Sequence, residues 1–104
     1  EATVRACEVV DQCVARVVPA ALAQGYAVMI VSDHGNADTM RDAQGRPHTA
    51  HSLAPVPCLW VSRQPPMMLQ DGTLADVAPT ILQAMGLPIP DSMQGRSLKL
   101  AAEY

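Results

Sequence analysis

An α/β fold follows from two observations. Tyr26 to Ser32 (Tyr-Ala-Val-Met-Ile-Val-Ser) and Pro57 to Ser62 (Pro-Cys-Leu-Trp-Val-Ser) are short continuous apolar runs, the pattern of strands covered on both faces. Helical periodicity flanks them, from about Ala2 to Ala23 before the first run and from Asp76 to about Met85 after the second.

The first helix places Val4, Cys7, Val10, Val14, Val17, Val18 and Ala21 on one wide face, with Arg5, Glu8, Gln12 and Arg16 opposite. Pro19 conflicts with it. Without an N–H for the Ala15 carbonyl, it should kink or restart the helix. Gln24-Gly25 is the expected stop, because glycine takes a left-handed conformation without penalty. Asp76 reads as the N-cap of the second helix, with Val77, Ile81, Leu82 and Met85 inward. Pro79 sits in its first turn, and Gly86 closes it. Arg63-Gln-Pro-Pro reads as a turn, and Leu87 onward as loop with a short final strand.

Two or three strands of this kind do not complete a sheet, and two helices cannot cover both its faces and its edges. The expectation is part of a larger layered sheet with helices on both faces, incomplete in this chain. The opening agrees, because the chain starts at Glu1 without Met and enters the helical pattern at once. That predicts a cut inside a longer protein; the other reading is a processed mature terminus.

Composition narrows the function classes. The hydrophobic fraction is 49% against 16% charged, which excludes a disordered chain. Aromatics are confined to Tyr26, Trp60 and Tyr104, so aliphatic and methionine side chains must supply the core. The seven basic residues are dispersed and the net charge is -3, which argues against nucleic acid as a partner. A phosphate bound here would need positive charge from elsewhere, with metal ions the obvious source. No stretch is long and apolar enough to span a membrane. Cys7, Cys13 and Cys58 lie in apolar runs and form no Cys-x-x-Cys, so they read as buried free thiols of a reducing cytosol.

Chemistry concentrates between the strands, in some two dozen residues without convincing periodicity that hold all three histidines of the chain. Asp33 and His34 directly follow the first strand, at the end where open α/β sheets bind ligands. Carboxylate oxygen with imidazole nitrogen suits manganese or zinc rather than calcium. Gly35 and Asn36 should allow the turn that converges these adjacent side chains. Gly45-Arg46-Pro47 is a second turn, able to bring His48-Thr49-Ala50-His51 back toward them. Asp38, Asp42 and Asp71 read as surface acids, Arg46 as a solvated loop cation, and Met67-Met68 as packing.

Val31-Ser-Asp-His-Gly-Asn-Ala-Asp, then Pro47-His-Thr-Ala-His-Ser and Pro55-Val-Pro, resembles the C-terminal part of cofactor-independent phosphoglycerate mutases, of the alkaline-phosphatase superfamily. Asp71-Gly-Thr-Leu-Ala-Asp-Val-Ala-Pro-Thr-Ile-Leu, Met85-Gly-Leu and Met93-Gln-Gly-Arg-Ser-Leu resemble that family's closing segment. The resemblance implies an alkaline-phosphatase-like α/β sheet. It implies a cytoplasmic isomerase of glycolysis and gluconeogenesis that interconverts 3- and 2-phosphoglycerate through a phosphoserine. Two manganese ions would serve, without 2,3-bisphosphoglycerate. Residues matching Asp33 and His34 hold one metal in the family, and the residue matching His51 holds the other.

The nucleophilic serine, the remaining ligands and the inserted substrate-binding domain would lie outside residues 1–104, so no catalytic residue is assigned here. The expected partners are a small phosphorylated carboxylate substrate and the rest of the same polypeptide, with no nucleic acid and no membrane. His48 follows Pro47 at the turn and is expected behind a ligand or on the substrate side. His51, next to the following strand, is the expected direct ligand. Another superfamily metalloenzyme, a phosphopentomutase or phosphodiesterase, would share Asp33-His34-Gly35. It is not expected to share Ala37-Asp38-Thr39-Met40 and the histidine tetrad in this form. A third reading is a non-catalytic fragment.

Overall fold

The computed structural model describes residues 1–37, 40–46, 51–63 and 67–100. Asp38, Thr39, the Pro47-His48-Thr49-Ala50 stretch, the Gln64-Pro65-Pro66 part of the expected turn and Tyr104 lie outside the described residues. The chain divides into two compact units, Glu1–Gln64 and Pro65–Tyr104. Among the described residues there are two α-helices and a two-stranded sheet, an α/β composition.

In the first unit, helix α1 (Ala2–Ala23) lies against strand β1 (Val28–Val31), which pairs antiparallel with β2 (Cys58–Val61). Val28 faces Val61, Met29 faces Trp60, Ile30 faces Leu59 and Val31 faces Cys58. Cross-strand aliphatic and aromatic neighbours of this kind hold a short ladder together. α1 runs through Pro19 as one helix, so the expected restart does not occur. It ends where glycine was expected: the Gly25 N–H donates to the Leu22 carbonyl and the Tyr26 N–H to Ala21. Gly25 at φ 85° closes this paired-bond cap.

The expected burial is not met. Val14, Val18, Ala21 and Leu22 form a half-buried stripe, whereas Val4, Val10 and Val17 are exposed, and no residue of α1 is fully buried. Val31 and Leu59 are exposed too, so the strands are not covered on both faces. Cys7 and Cys13 are exposed and Cys58 half-buried, against the expectation of three buried thiols. Periodicity identifies the apolar face; it does not supply what covers that face.

The second unit is organised around a polar clip. A 3₁₀ turn (Leu74–Asp76) leads into helix α2 (Val77–Ala84), with Gly86 past its end. Asp76 is the residue before α2, as expected, but its carboxylate does not cap that helix. It accepts instead from the Thr73 N–H at 2.8 Å and, across the unit, from the Arg96 N–H at 2.9 Å. The Thr80 hydroxyl donates to the Asp76 carbonyl at 2.7 Å and accepts from the Leu98 N–H at 2.8 Å. Leu98, Pro79 and Thr80 are buried around it. A side chain at Gly95 would run into the Ala75 carbonyl, so this close crossing requires glycine. The expected last strand reduces to one bridge, Leu69 opposite Lys99.

Replacing Thr80 with Val keeps the shape and removes both hydroxyl bonds, leaving the Leu98 N–H buried without a partner. The loss should be about 1–3 kcal/mol, read by denaturant unfolding, with Thr80→Ser milder. Asp76 has its pKa held below the ordinary carboxylate range, first by the Thr73 N–H, then by the Arg96 N–H. A depressed carboxyl contributes stability that is whole above its unfolded value and lost as pH falls through the folded one. Unfolding followed from neutral to acid pH should therefore show this loss only below the ordinary carboxylate range, and Asp76→Asn should flatten it.

Candidate metal centre

Antiparallel pairing puts the carboxyl end of β1 and the start of β2 at the same end of the sheet. The segment between them is thus one long hairpin connection, with Asp33-His34 on the outgoing stem and His51 on the returning one. A further bridge joins the stems. Gly35 and Ser52 exchange both backbone hydrogen bonds, at 3.3 and 2.8 Å. This bridge is offset from the strand register: three residues separate Val31 from Gly35, but five separate Ser52 from Cys58. Gly35 is buried in the bridge and is not in the left-handed region, so the turn freedom expected of it is not what it supplies.

The bridge brings two of the expected site residues into contact. The rings of His34 and His51 stack with centroids 3.6 Å apart and planes 10° from parallel. Asp33 Oδ1 lies 3.6 Å from His34 Nε2. The His34 Nδ1 is 2.8 Å from the Gly35 carbonyl, which can only accept, so Nδ1 donates there. Nε2 is the ring nitrogen that faces Asp33. Its neighbour is open to solvent: the Asp33 side chain is 84% exposed, against 33% for His34. The Ser32 hydroxyl donates to the His34 carbonyl at 2.7 Å and receives the His34 N–H at 3.4 Å.

Farther round the connection, Asp42 organises a tight turn closed by Gly45 at φ 78°. Its carboxylate accepts from the Gln44 and Arg46 backbone N–H groups at 2.9 Å and from Arg46 Nε at 3.2 Å. Arg46 is the solvated loop cation that was expected, its side chain 71% exposed, and it pairs with the partly covered Asp42. Arg46 is committed to Asp42, and Arg41 donates to the Gly45 carbonyl.

The donor chemistry fits a divalent ion. Asp33 Oδ1 and His34 Nε2 are closer than two metal–ligand bonds of about 2.0–2.2 Å laid end to end, so both could reach one ion. Among the described residues, no three acidic, histidine or cysteine side chains gather as a complete set of metal ligands. Asp33 and His34 thus offer a pair of donors, with His51 adjacent, and His48 lies outside the described residues. Sequence reasoning passed over Ser32, although a hydroxyl beside a strand-end polar cluster commonly bonds the backbone two residues on. The Gly35–Ser52 bridge had no sequence signal, because no side chain makes it.

Several curated proteins are similar to this chain. A 2,3-bisphosphoglycerate-independent phosphoglycerate mutase of Synechococcus sp. (strain JA-2-3B'a(2-13)) is 48% identical, over 100% of this chain and 21% of its own length. Proteins of the same name from Bacteroides thetaiotaomicron and Thiobacillus denitrificans are 51% and 50% identical, each over 94% of this chain and 19% of the relative. The chain spans about a fifth of the length of these relatives. No helix among the described residues is long and apolar enough to cross a membrane. The family model for the metalloenzyme superfamily matches residues 1–89. With its strand-end carboxylate–imidazole pair, the chain belongs to the metalloenzyme superfamily.

Proposed function

We propose that this chain is the metal-holding C-terminal part of a phosphoglycerate mutase. The whole protein interconverts 3-phosphoglycerate and 2-phosphoglycerate through a phosphoserine, as a cytoplasmic isomerase of glycolysis and gluconeogenesis. The observation that carries the reading is the gathering of Asp33, His34 and His51 at one end of the β1–β2 pair. The names of the relatives support the substrate.

Asp33 and His34 are assigned to one manganese ion and His51 to a second, which requires no 2,3-bisphosphoglycerate. When bound, two such ions lower the pKa of a nucleophilic hydroxyl and neutralise phosphate oxygens. The contribution of this chain is positional. The Gly35 carbonyl fixes the proton on His34 Nδ1, leaving Nε2 for coordination. The Gly35–Ser52 bridge sets the spacing between the His34 and His51 backbones. The nucleophilic serine, the remaining ligands and the substrate-binding domain are assigned to the rest of the polypeptide.

The purified chain should therefore show no mutase or phosphatase turnover with 3-phosphoglycerate, whatever metal is supplied. Conversion by material free of full-length enzyme would contradict the assignment.

A second test separates the two tetrad histidines in a full-length phosphoglycerate mutase carrying this segment. His51→Ala should lose about one of two metals per chain. His48→Ala should keep both and lose about 10–100-fold in rate, the effect of removing a group that supports a ligand. Elemental analysis beside turnover decides it. A metal lost from His48→Ala and retained by His51→Ala would reverse the roles.

A further inference from the structure

We propose that Ser32 is a positioning residue of this site, acting through the backbone of His34; the proposal rests on the metal reading of Asp33 and His34. The Ser32 hydroxyl grips His34 twice, donating to its carbonyl at 2.7 Å and receiving its N–H at 3.4 Å. Ser32 directly follows β1, so this grip ties His34 to the last rigid point of the sheet. Asp33 is the single residue enclosed between the two, and its side chain projects into solvent.

Three contacts then define where the His34 ring sits. The Ser32 hydroxyl holds its main chain, the Gly35 carbonyl holds Nδ1, and the His51 ring stacks on its face. The last two both descend from the Gly35–Ser52 bridge on the far side of His34. Ser32 is the only one of the three that fixes the residue from the β1 side. Without its hydroxyl, the peptide planes on either side of Asp33 are free to rotate, and the Asp33 carboxylate and His34 Nε2 no longer share one orientation.

The test uses the chain with isotope-labelled histidine rings, comparing the unsubstituted chain with Ser32→Ala and with Ser32→Thr, which restores the hydroxyl. Two readouts are taken. Without metal, the ring-current shifts of the His34 and His51 C–H signals report the stack, with His34→Ala and His51→Ala giving the unstacked values. Manganese chloride titration then reports binding, through paramagnetic broadening of the same signals.

Ser32→Ala should move both rings toward their unstacked shifts and raise the manganese midpoint at His34 by about 10–100-fold. Ser32→Thr should keep the original values. Ser32→Ala with unchanged shifts and midpoint overturns the proposal, as does Ser32→Thr behaving like Ser32→Ala. If Ser32→Ala fails to fold, judged by the β1–β2 amide signals, Ser32→Thr decides alone: retained shifts support the grip and lost shifts overturn it. If His34 in the unsubstituted chain ignores manganese, the metal reading falls, while the metal-free shifts still decide whether Ser32 holds the ring.

Discussion

Two backbone hydrogen bonds between Gly35 and Ser52 carry an unusual share of this structure. The stems leave β1 at Val31 and enter β2 at Cys58. The bridge ties the stems together beyond the ladder, next to the residues whose side chains matter. His34 precedes Gly35 and His51 precedes Ser52, so the same pairing that satisfies four buried or half-buried main-chain groups also sets the two imidazoles face to face. The offset from the strand register adds two residues to the returning stem. A uniform ladder would have placed a different residue opposite Gly35.

The second unit solves a similar problem with side chains. Its crossing point, where Arg96 and Leu98 pass the start of α2, is held by a carboxylate and a hydroxyl rather than by a ladder. Asp76 serves the turn before α2 and the distant strand-like segment together, while Thr80 reaches the same segment one helical turn later. In both units, a few polar groups set positions that a thin apolar core leaves open.

Much of this was legible in the sequence where the signal is local. Apolar runs marked both strands to within two residues, and Gly25 and Gly86 marked the helix ends because their positive φ belongs to the residue itself. Asp33-His34 was read as following the first strand, and it does follow β1. The misreadings share a physical cause. The exposure of Val10, Val17 and Cys13, and the role of Asp76, depend on partners distant in sequence. Pro19 was read from helix-interior energetics as a kink or a restart, and α1 does not restart there. Ser32 was missed for a different reason: its hydrogen bonds are local, but a serine after a strand has several equally ordinary uses.

The half-covered β1–β2 pair carries a consequence for handling the molecule. Val28-Met-Ile-Val and Cys58-Leu-Trp-Val are β-favouring, uncharged segments, and among the described residues neither outer edge pairs with another strand. Such edges are templates for self-association. Pro57 and Arg63 flank β2, a break and a charge of the kind that restrains edge pairing. β1 has no comparable guard: Tyr26-Ala27 leads into it, and Asp33 is its nearest charge. In concentrated solution, β1 is where sheet-to-sheet aggregation would begin, and ionic strength that screens Asp33 would hasten it.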